Sequence, residues 1–212
     1  MIMKRLINLE KRIDWAVPTA LLLLSVVPVL AGFVRLSGLV AGGPATPENT
    51  RFIASPLPIL VHLLSATLFC LLGAFQFSST FRQSSLDWHR LTGRLLVPFG
   101  LFAGLSGLWM TEMYPIDLQQ QGVLLYSVRL LVGSAMVLSI VISLLAILRR
   151  DIAKHRAWMI RGYALGQGAG TQALLGIPWM LAFGALSGLP RDVLMSAAWM
   201  INLALAEWII RR

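Results

Sequence analysis

The feature that most constrains this chain is a succession of six apolar runs, each about as long as a helix that crosses a bilayer. A hydrocarbon core of about 30 Å takes roughly 20 helical residues. None of the runs shows the period-2 alternation of a barrel strand, and only helices or closed barrels satisfy backbone polar groups in lipid. The sequence therefore predicts an all-α integral membrane bundle of about six transmembrane helices that forms a single domain over residues 1–212. The predicted helices cover residues 15–34, 57–77, 95–113, 123–148, 162–186 and 193–210.

Composition supports lipid as the outer solvent. Hydrophobic residues make up 57% of the chain and charged residues 13%, against about 25% charged in an average soluble domain. The net charge of +9 would suit nucleic acid, but the basic residues stand in short clusters between apolar runs. We therefore expect membrane lipids as partners, with anionic headgroups on the basic side, and no nucleic acid; a homo-oligomer stays open. The basic start and first apolar run also resemble a signal peptide, although the run exceeds the usual h-region of about 7–15 residues.

The distribution of Lys and Arg predicts the orientation. With the N-terminus inside, fourteen of the eighteen basic residues fall in inside segments. Arg35, Arg51 and Arg191 fall outside, and Arg129 falls within a helix. Positive charge marks cytoplasmic loops, so the sequence predicts a multi-pass membrane protein with both termini in the cytoplasm. The inside residues are Lys4, Arg5, Lys11, Arg12, Arg82, Arg90, Arg94, Arg149, Arg150, Lys154, Arg156, Arg161, Arg211 and Arg212.

Arg129 is the most costly residue in the predicted bundle. A charge at the centre of a membrane helix costs about 2.5–3.5 kcal/mol on insertion scales, and less near a helix end. Its side chain could extend to the outer headgroups, or it could face a polar cavity. Gly133, Met136 and Ser143 continue its helical face, which indicates a packed interior surface.

A polar stripe on the second predicted helix begins at His62 and continues through Ser65 to Gln76. Polar stripes turn away from lipid. His62 could be a structural histidine that hydrogen bonds a neighbouring helix, or it could share an outward-facing ligand site with Arg129. In the second case Glu112, at the outer end of the third helix, is the candidate counter-ion for Arg129.

The cytoplasmic side carries a second candidate site with two His-Arg motifs. Arginine and tryptophan at this boundary are ordinary topology anchors, but the paired motifs could also hold a phosphate headgroup or another anion. A carboxylate near the end of the last helix could pair with one of these arginines in a structural role. The residues concerned are His89, Arg90, Arg94, His155, Arg156, Arg161 and Glu207.

No catalytic or metal-binding signature accompanies these residues. Cys70 is the single cysteine, which excludes a cluster of thiolates and an internal disulfide. We predict no cofactor. A b-type haem is a possible exception, because His89 and His155 lie on the same side and haem axial ligands are commonly histidine.

Glycines at four-residue spacing occur at Gly100 and Gly104 and again at Gly162, Gly166 and Gly170. Such spacing lets helix backbones approach closely and is typical of packing. Gln167, Thr171 and Gln172 make the fifth predicted helix unusually polar, which favours a central position for it.

Several segments resemble a known family. The run H-R-A-W-M-I-R-G-Y-A-L at residues 155–165 resembles the signature of the predicted bacterial membrane proteins called domain of unknown function 2306. The W-H-R-L-T-G-R run at residues 88–94 is similar to its H-R-x-x-G-R element. His62 before Gly73-x-x-Gln76-Phe77, and Ala206-Glu207, also resemble its pattern, so the likeness covers His62 to Glu207. The resemblance implies a multi-helix bundle, placed in the bacterial inner membrane, and no assigned reaction.

The sequence therefore predicts a membrane protein of uncharacterised function with a polar intramembrane pocket for a small molecule or lipid. Two alternatives stay open. One is a redox protein with b-type haem or a quinone. The other is a small transporter, whose path would be lined by His62, Gln76, Gln167 and Gln172.

Overall fold

The chain is a bundle of α-helices, as the sequence predicts. The computed structural model describes the backbone of residues 2–47 and 49–212 and the side chains of residues 14–47, 49–80, 82, 83 and 85–212. The predicted basic side chains of Lys4, Arg5, Lys11 and Arg12 lie outside the described side chains. Within the described backbone there is no strand. The helices are α1 Ile2–Val40, α2 Thr50–Ala54, α3 Pro56–Phe75, α4 Ser79–Ser84, α5 Leu86–Met113, α6 Val123–Leu148, α7 Ile152–Gly166, α8 Gly168–Phe183 and α9 Gly188–Ile210.

Five of these helices are long and apolar enough to cross a membrane: α1 from Asp14 onward, α3, α5, α6 and α9. The fifth predicted helix, residues 162–186, is wrong as a continuous element. The chain there forms two helices that begin at Ile152 and Gly168 and meet at Gln167. Together α7 and α8 occupy the place of the fifth predicted helix. Hydropathy did not predict this break, because a break in the backbone does not interrupt an apolar run of side chains.

The helices pack in an order that gives α7 a central position. α3 packs between α1 and α5, and α5 packs against α6. α7 contacts α3, α5, α6 and α9, whereas α8 leaves this centre and packs between α1 and α9. The prediction that the helix over residues 162–186 is central is therefore confirmed for residues 162–166, which belong to α7. α8 also exposes large apolar side chains, including Leu181 and Phe183.

Different loops, helix ends and polar residues lie at the two ends of the bundle. Asp14, the α3–α4 turn, His155 and Glu207 lie at one end, which we call the terminal end because the last helix finishes there. α2, the 114–122 loop and the start of α9 lie at the other, which we call the loop end. At the terminal end the Asp14 carboxylate accepts from Ser78 Oγ at 2.5 Å, from Ser79 N at 2.8 Å and from Thr80 N at 3.0 Å. This carboxylate fixes α1 to the start of α4.

Several small polar side chains lie inside the bundle beside its hydrophobic core, and many large apolar side chains lie outside. Ser65, Ser106 and Ser143 are buried, and Ser65 and Ser106 donate to carbonyls of their own helix. The exposed surface carries large apolar side chains, among them Leu23, Phe33, Leu64, Leu131 and Met200. Because lipid is as apolar as leucine, this distribution suits a bundle solvated by hydrocarbon.

The glycine repeats are packing sites, as predicted. A Cβ at Gly100 would lie 2.5 Å from Ile140 and 2.7 Å from Phe69, and one at Gly170 would lie 2.5 Å from the Leu24 carbonyl oxygen. A Cβ at Gly73 would collide with the Tyr163 ring. Close approach of neighbouring elements therefore requires glycine at these positions.

Candidate functional site

The break between α7 and α8 lies inside the bundle and is held by side-chain hydrogen bonds. Gln167 stands at the break and is buried. Its Nε2 donates to the Tyr163 hydroxyl at 2.8 Å and to Ser25 Oγ of α1 at 3.1 Å. The Tyr163 hydroxyl in turn donates to the Cys70 carbonyl of α3 at 2.7 Å. The break is thus tied to two other membrane helices.

Asn202 of α9 compensates the backbone at this break. Its Nδ2 donates to the Ala164 carbonyl at 3.1 Å, and its Oδ1 accepts from Thr171 Oγ1 at 2.7 Å. A helix can break at membrane depth only where protein groups satisfy the freed backbone or where it borders a cavity. Both conditions hold here. Asn202 satisfies the Ala164 carbonyl, and Gln167 and Ala169 line a central cavity.

The cavity has a volume of about 480 Å³ and extends from the middle of the bundle to the loop end. It is bordered by α1, α2, α3, α5, α6, the α7–α8 break and α9. Its deep wall is mostly apolar and includes Phe69, Met136 and Leu165. These three residues belong to the main hydrophobic core, which separates the cavity from the terminal end.

His62 gives the apolar wall a polar group. The ring Nδ1 lies 3.0 Å from the Ala103 carbonyl oxygen and 3.2 Å from Ser106 Oγ on α5. A carbonyl oxygen can only accept, so Nδ1 is the donor and the lone pair of the neutral ring lies on Nε2. Among the described residues no side chain hydrogen bonds Nε2, and His62 lines the cavity.

Arginines surround the loop end of the cavity. Arg35, Arg51 and Arg129 line it and come from three different helices. The rings of Phe52 and Tyr114 pack edge to face beside them, with centroids 5.4 Å apart. The Tyr114 hydroxyl donates to the Ser55 carbonyl at 2.6 Å, and burial raises the pKa of this hydroxyl above its usual value.

A run of glutamines in the 114–122 loop positions three arginines. Arg129 donates to Gln121 Oε1. Arg51 Nη2 donates to Gln120 Oε1 at 3.0 Å, and Arg191 Nε donates to the Gln120 carbonyl at 3.0 Å. All three acceptors are neutral amide oxygens, which orient a guanidinium without cancelling its charge.

The predicted ion pair between Arg129 and Glu112 is wrong. Glu112 is exposed and accepts from the Tyr126 hydroxyl at 2.9 Å, so its helix presents it away from the cavity. The nearby buried carboxylate is Asp192 of α9, which accepts from the backbone N–H groups of Gly122 at 3.1 Å and Leu125 at 3.2 Å. Asp192 therefore caps the start of α6 from another helix, where a negative charge is favourable.

Gln76 does not line the cavity, whereas His62 and Arg129 do. It follows the last residue of α3, and its Nε2 donates to Thr92 Oγ1 of α5 at 2.5 Å. The polar stripe on α3 is real, but its ends face different surroundings. Of the predicted transporter lining, His62, Gln167 and Gln172 border the cavity.

At the terminal end one predicted pairing is confirmed. Glu207 binds Arg161 through two hydrogen bonds, Nε to Oε1 at 2.5 Å and Nη2 to Oε2 at 3.0 Å. The Arg161 guanidinium also lies 4.7 Å from the centre of the Trp158 ring. This ion pair joins α7 to α9 at the end opposite the arginine-lined part of the cavity.

The other predicted residues of the terminal end are spread along its surface. His155 Nδ1 lies 2.8 Å from Ser143 Oγ and 3.0 Å from the Ser143 carbonyl, which joins α7 to α6. Arg90 faces Asp87 at 3.8 Å with both side chains largely exposed, and Arg94 and Arg156 are exposed. His89 lies near enough to His155 for an electrostatic interaction. A role of these residues in binding an anion or haem stays a prediction.

Sequence reasoning missed the residues that organise the cavity. Asp192 stands in an apolar helix beside Arg191, and the 119–121 loop holds three consecutive glutamines, so both carried a visible polar signal. Tyr163 and Asn202 carried less, because each becomes important only through the α7–α8 break.

These features define a multi-pass helical membrane protein with one discontinuous crossing beside a central cavity. The chain belongs to the family described as predicted membrane protein, domain of unknown function 2306, whose model matches residues 59–210. This confirms the resemblance seen in the sequence. No curated protein and no solved structure matches the chain.

Proposed function

We propose that this protein binds a small molecule or a lipid component in its central cavity. The observation that carries the proposal is a cavity of about 480 Å³ at membrane depth, bordered by a broken helix and by polar groups on otherwise apolar walls. The resemblance to bacterial membrane proteins favours the inner membrane as the setting, and the basic residues favour a cytoplasmic location of the terminal end. Exposed Arg94 and Arg150 at that end would contact anionic headgroups.

The size and chemistry of the cavity support binding. Ligand pockets typically measure about 300–1,000 Å³ and combine apolar walls with a few placed polar groups. Here Phe69 and Met136 supply apolar wall, and His62 Nε2 supplies an acceptor. A polar group at membrane depth costs free energy, so one without a protein partner is better explained by a ligand or by water than by packing.

Transport is a second candidate, and the discontinuous crossing favours it. Transporters commonly place substrate sites near the bilayer midplane beside broken helices. The α7–α8 break borders the cavity in this manner. However, Phe69, Tyr163 and Leu165 pack into the core on the terminal side of the cavity. Transport would require this core to open, whereas binding requires no rearrangement.

A cavity-filling substitution tests the proposal. Gly107 lines the cavity, and a Cβ there would lie 3.4 Å from the His62 ring, so Gly107→Leu places a side chain in the space. Gly93 is on the same helix with nothing within 4 Å of its Cβ, so Gly93→Leu is the matched control. Both substitutions replace glycine by the same better helix former.

The measurement is native mass spectrometry of each protein after mild extraction from membranes, with lipid analysis of what is released. We expect a retained small molecule on the parent and on Gly93→Leu and its loss from Gly107→Leu. If the parent retains no such mass, or if all three proteins retain the same masses in the same amounts, the cavity is not a binding site.

A further inference from the structure

The arginines around the cavity indicate the chemical class of its ligand. Among the described side chains, no carboxylate lies within ion-pair distance of Arg129 or Arg35. Arg129 is held by the neutral Gln121 amide, and Arg35 rests over the Phe52 ring at 4.5 Å. Their positive charges are therefore oriented but not neutralised.

Holding several positive charges close together around one end of the cavity is unfavourable. Arg51 also lines the cavity, and both Arg51 and Arg191 lie close enough to Arg129 to repel it electrostatically. Like charges repel more strongly where water is partly excluded. Asp192 offsets part of this repulsion, but its two oxygens accept from the backbone at the start of α6. A bound anion would relieve the remainder.

A guanidinium has donors to spare for such an anion. Arginine presents five N–H groups in a planar fork that fits a carboxylate or a phosphate through two hydrogen bonds. Arg129 uses its Nη1 for Gln121, and Arg35 makes no hydrogen bond through its side chain among the described residues. Both side chains can therefore donate to a ligand without giving up an ion pair.

Beyond the arginines the cavity becomes apolar. Its deep wall at Phe69, Met136 and Leu165 offers surface for hydrocarbon. At about 30 Å³ for each water-sized group, the volume of about 480 Å³ holds a single short chain rather than a whole phospholipid.

We propose that the ligand is an anionic amphiphile, with its carboxylate or phosphate held by Arg129 and Arg35 and its apolar chain directed toward Phe69 and Met136. This inference rests on the proposed binding function. The anion has two possible sources: a soluble single-chain acid, or the headgroup of a membrane lipid with one chain inserted.

The test measures the thermal stability of the protein in phosphatidylcholine nanodiscs as a function of added probe. The probes are decanoate, decanol and inorganic phosphate. A further sample in phosphatidylglycerol nanodiscs without probe reports on the lipid source. A ligand that binds only the folded state raises the unfolding temperature, and at one ligand concentration the rise is larger for tighter binding. We expect decanoate to bind at least tenfold more tightly than decanol, and phosphate alone to give no shift.

The variants are Arg129→Gln and Arg35→Gln, with Arg94→Gln as the control. Arg94 is exposed at the terminal end, so its substitution removes the same charge far from the cavity. We expect each cavity variant to weaken decanoate binding about tenfold, a difference of about 1.4 kcal/mol, and to leave decanol binding unchanged. Arg35→Gln keeps the test informative if Arg129→Gln does not fold.

The outcomes separate the two proposals. Equal binding of decanoate and decanol, both abolished by Gly107→Leu, would keep the cavity and overturn the anionic ligand. A shift with phosphate alone that matches decanoate would overturn the amphiphile. A stabilisation in phosphatidylglycerol that is lost in Arg129→Gln but kept in Arg94→Gln would assign the anion to a membrane lipid. Absence of binding by every probe, together with no effect of phosphatidylglycerol, would refute the inference.

Discussion

The ion pair between Arg161 and Glu207 has the shortest distance of the ion pairs among the described residues, and its removal should destabilise the bundle measurably. It joins α7 to α9 through two short hydrogen bonds of 2.5 and 3.0 Å. Trp158 packs against the guanidinium on the same helix. We expect Glu207→Gln and Arg161→Gln each to loosen the contact between these helices.

The magnitude follows from the exposure of the pair. The side chains are 23% and 30% exposed. Breaking a fully buried pair costs about 3–5 kcal/mol, whereas an exposed pair is worth about 0–1 kcal/mol. A loss of about 2 kcal/mol for Glu207→Gln lies between these limits and agrees with the value of charged hydrogen bonds. The loss for Arg161→Gln should be smaller, because Arg211 lies 4.0 Å from Glu207 and can replace part of the contact.

The assay is thermal unfolding in one detergent for both single variants and the double variant. With about 2–4 °C for each kcal/mol in a chain of this size, Glu207→Gln should lower the midpoint by about 4–8 °C. The double variant should show coupling above about 0.5 kcal/mol. The control is the exposed pair of Asp87 and Arg90, 3.8 Å apart at the same end, where the same exchanges should change little. If Glu207→Gln shifts the midpoint no more than Asp87→Asn does, the contact is not stabilising and our reasoning from its geometry is refuted.

Three further predictions concern orientation, charge and packing. A reporter active only outside the cytoplasm should work when inserted at Thr46, and one active only inside should work at the C-terminus; reversed signals would refute the orientation drawn from basic residues. Arg129→Leu combined with Glu112→Gln should change thermal stability by the sum of the single effects, since the two residues form no ion pair; coupling above about 0.5 kcal/mol would show a contact that the structure lacks. Gly73→Ala should cost about 1–3 kcal/mol, because its Cβ would collide with the Tyr163 ring, whereas Gly93→Ala has open space and should be neutral or stabilising in the same unfolding assay.

The match to the family model covers the segments that carried the resemblance, and in the structure residues of these segments contact several neighbouring helices. His155 joins α7 to α6 through Ser143, and Arg161 joins α7 to α9 through Glu207. Tyr163 lies at the centre of the bundle between α3 and the break. In this chain the signature run therefore fixes the central helix to its neighbours on several sides.

The sequence by itself determined the class of fold and located the five helices that are long and apolar enough to cross a membrane. Hydrophobic length is a local property, and a bilayer imposes it on each helix separately. For this reason the run at residues 123–148 predicted α6 to the residue. Position within an apolar run also identified His62 and Arg129 as residues that must turn inward or find a polar partner. The four-residue spacing of glycines predicted close packing of helices.

Only the tertiary structure decided which polar residues meet. The sequence suggested Glu112 as the partner of Arg129. In the structure the 114–122 loop brings Gln121 to Arg129 and Glu112 is exposed. The break at Gln167 likewise depends on Ser25 and Asn202, which come from helices far away in the sequence. Helix formation is set by neighbouring residues, whereas a cavity and its charges are set by how separate helices pack, and no local pattern records that packing.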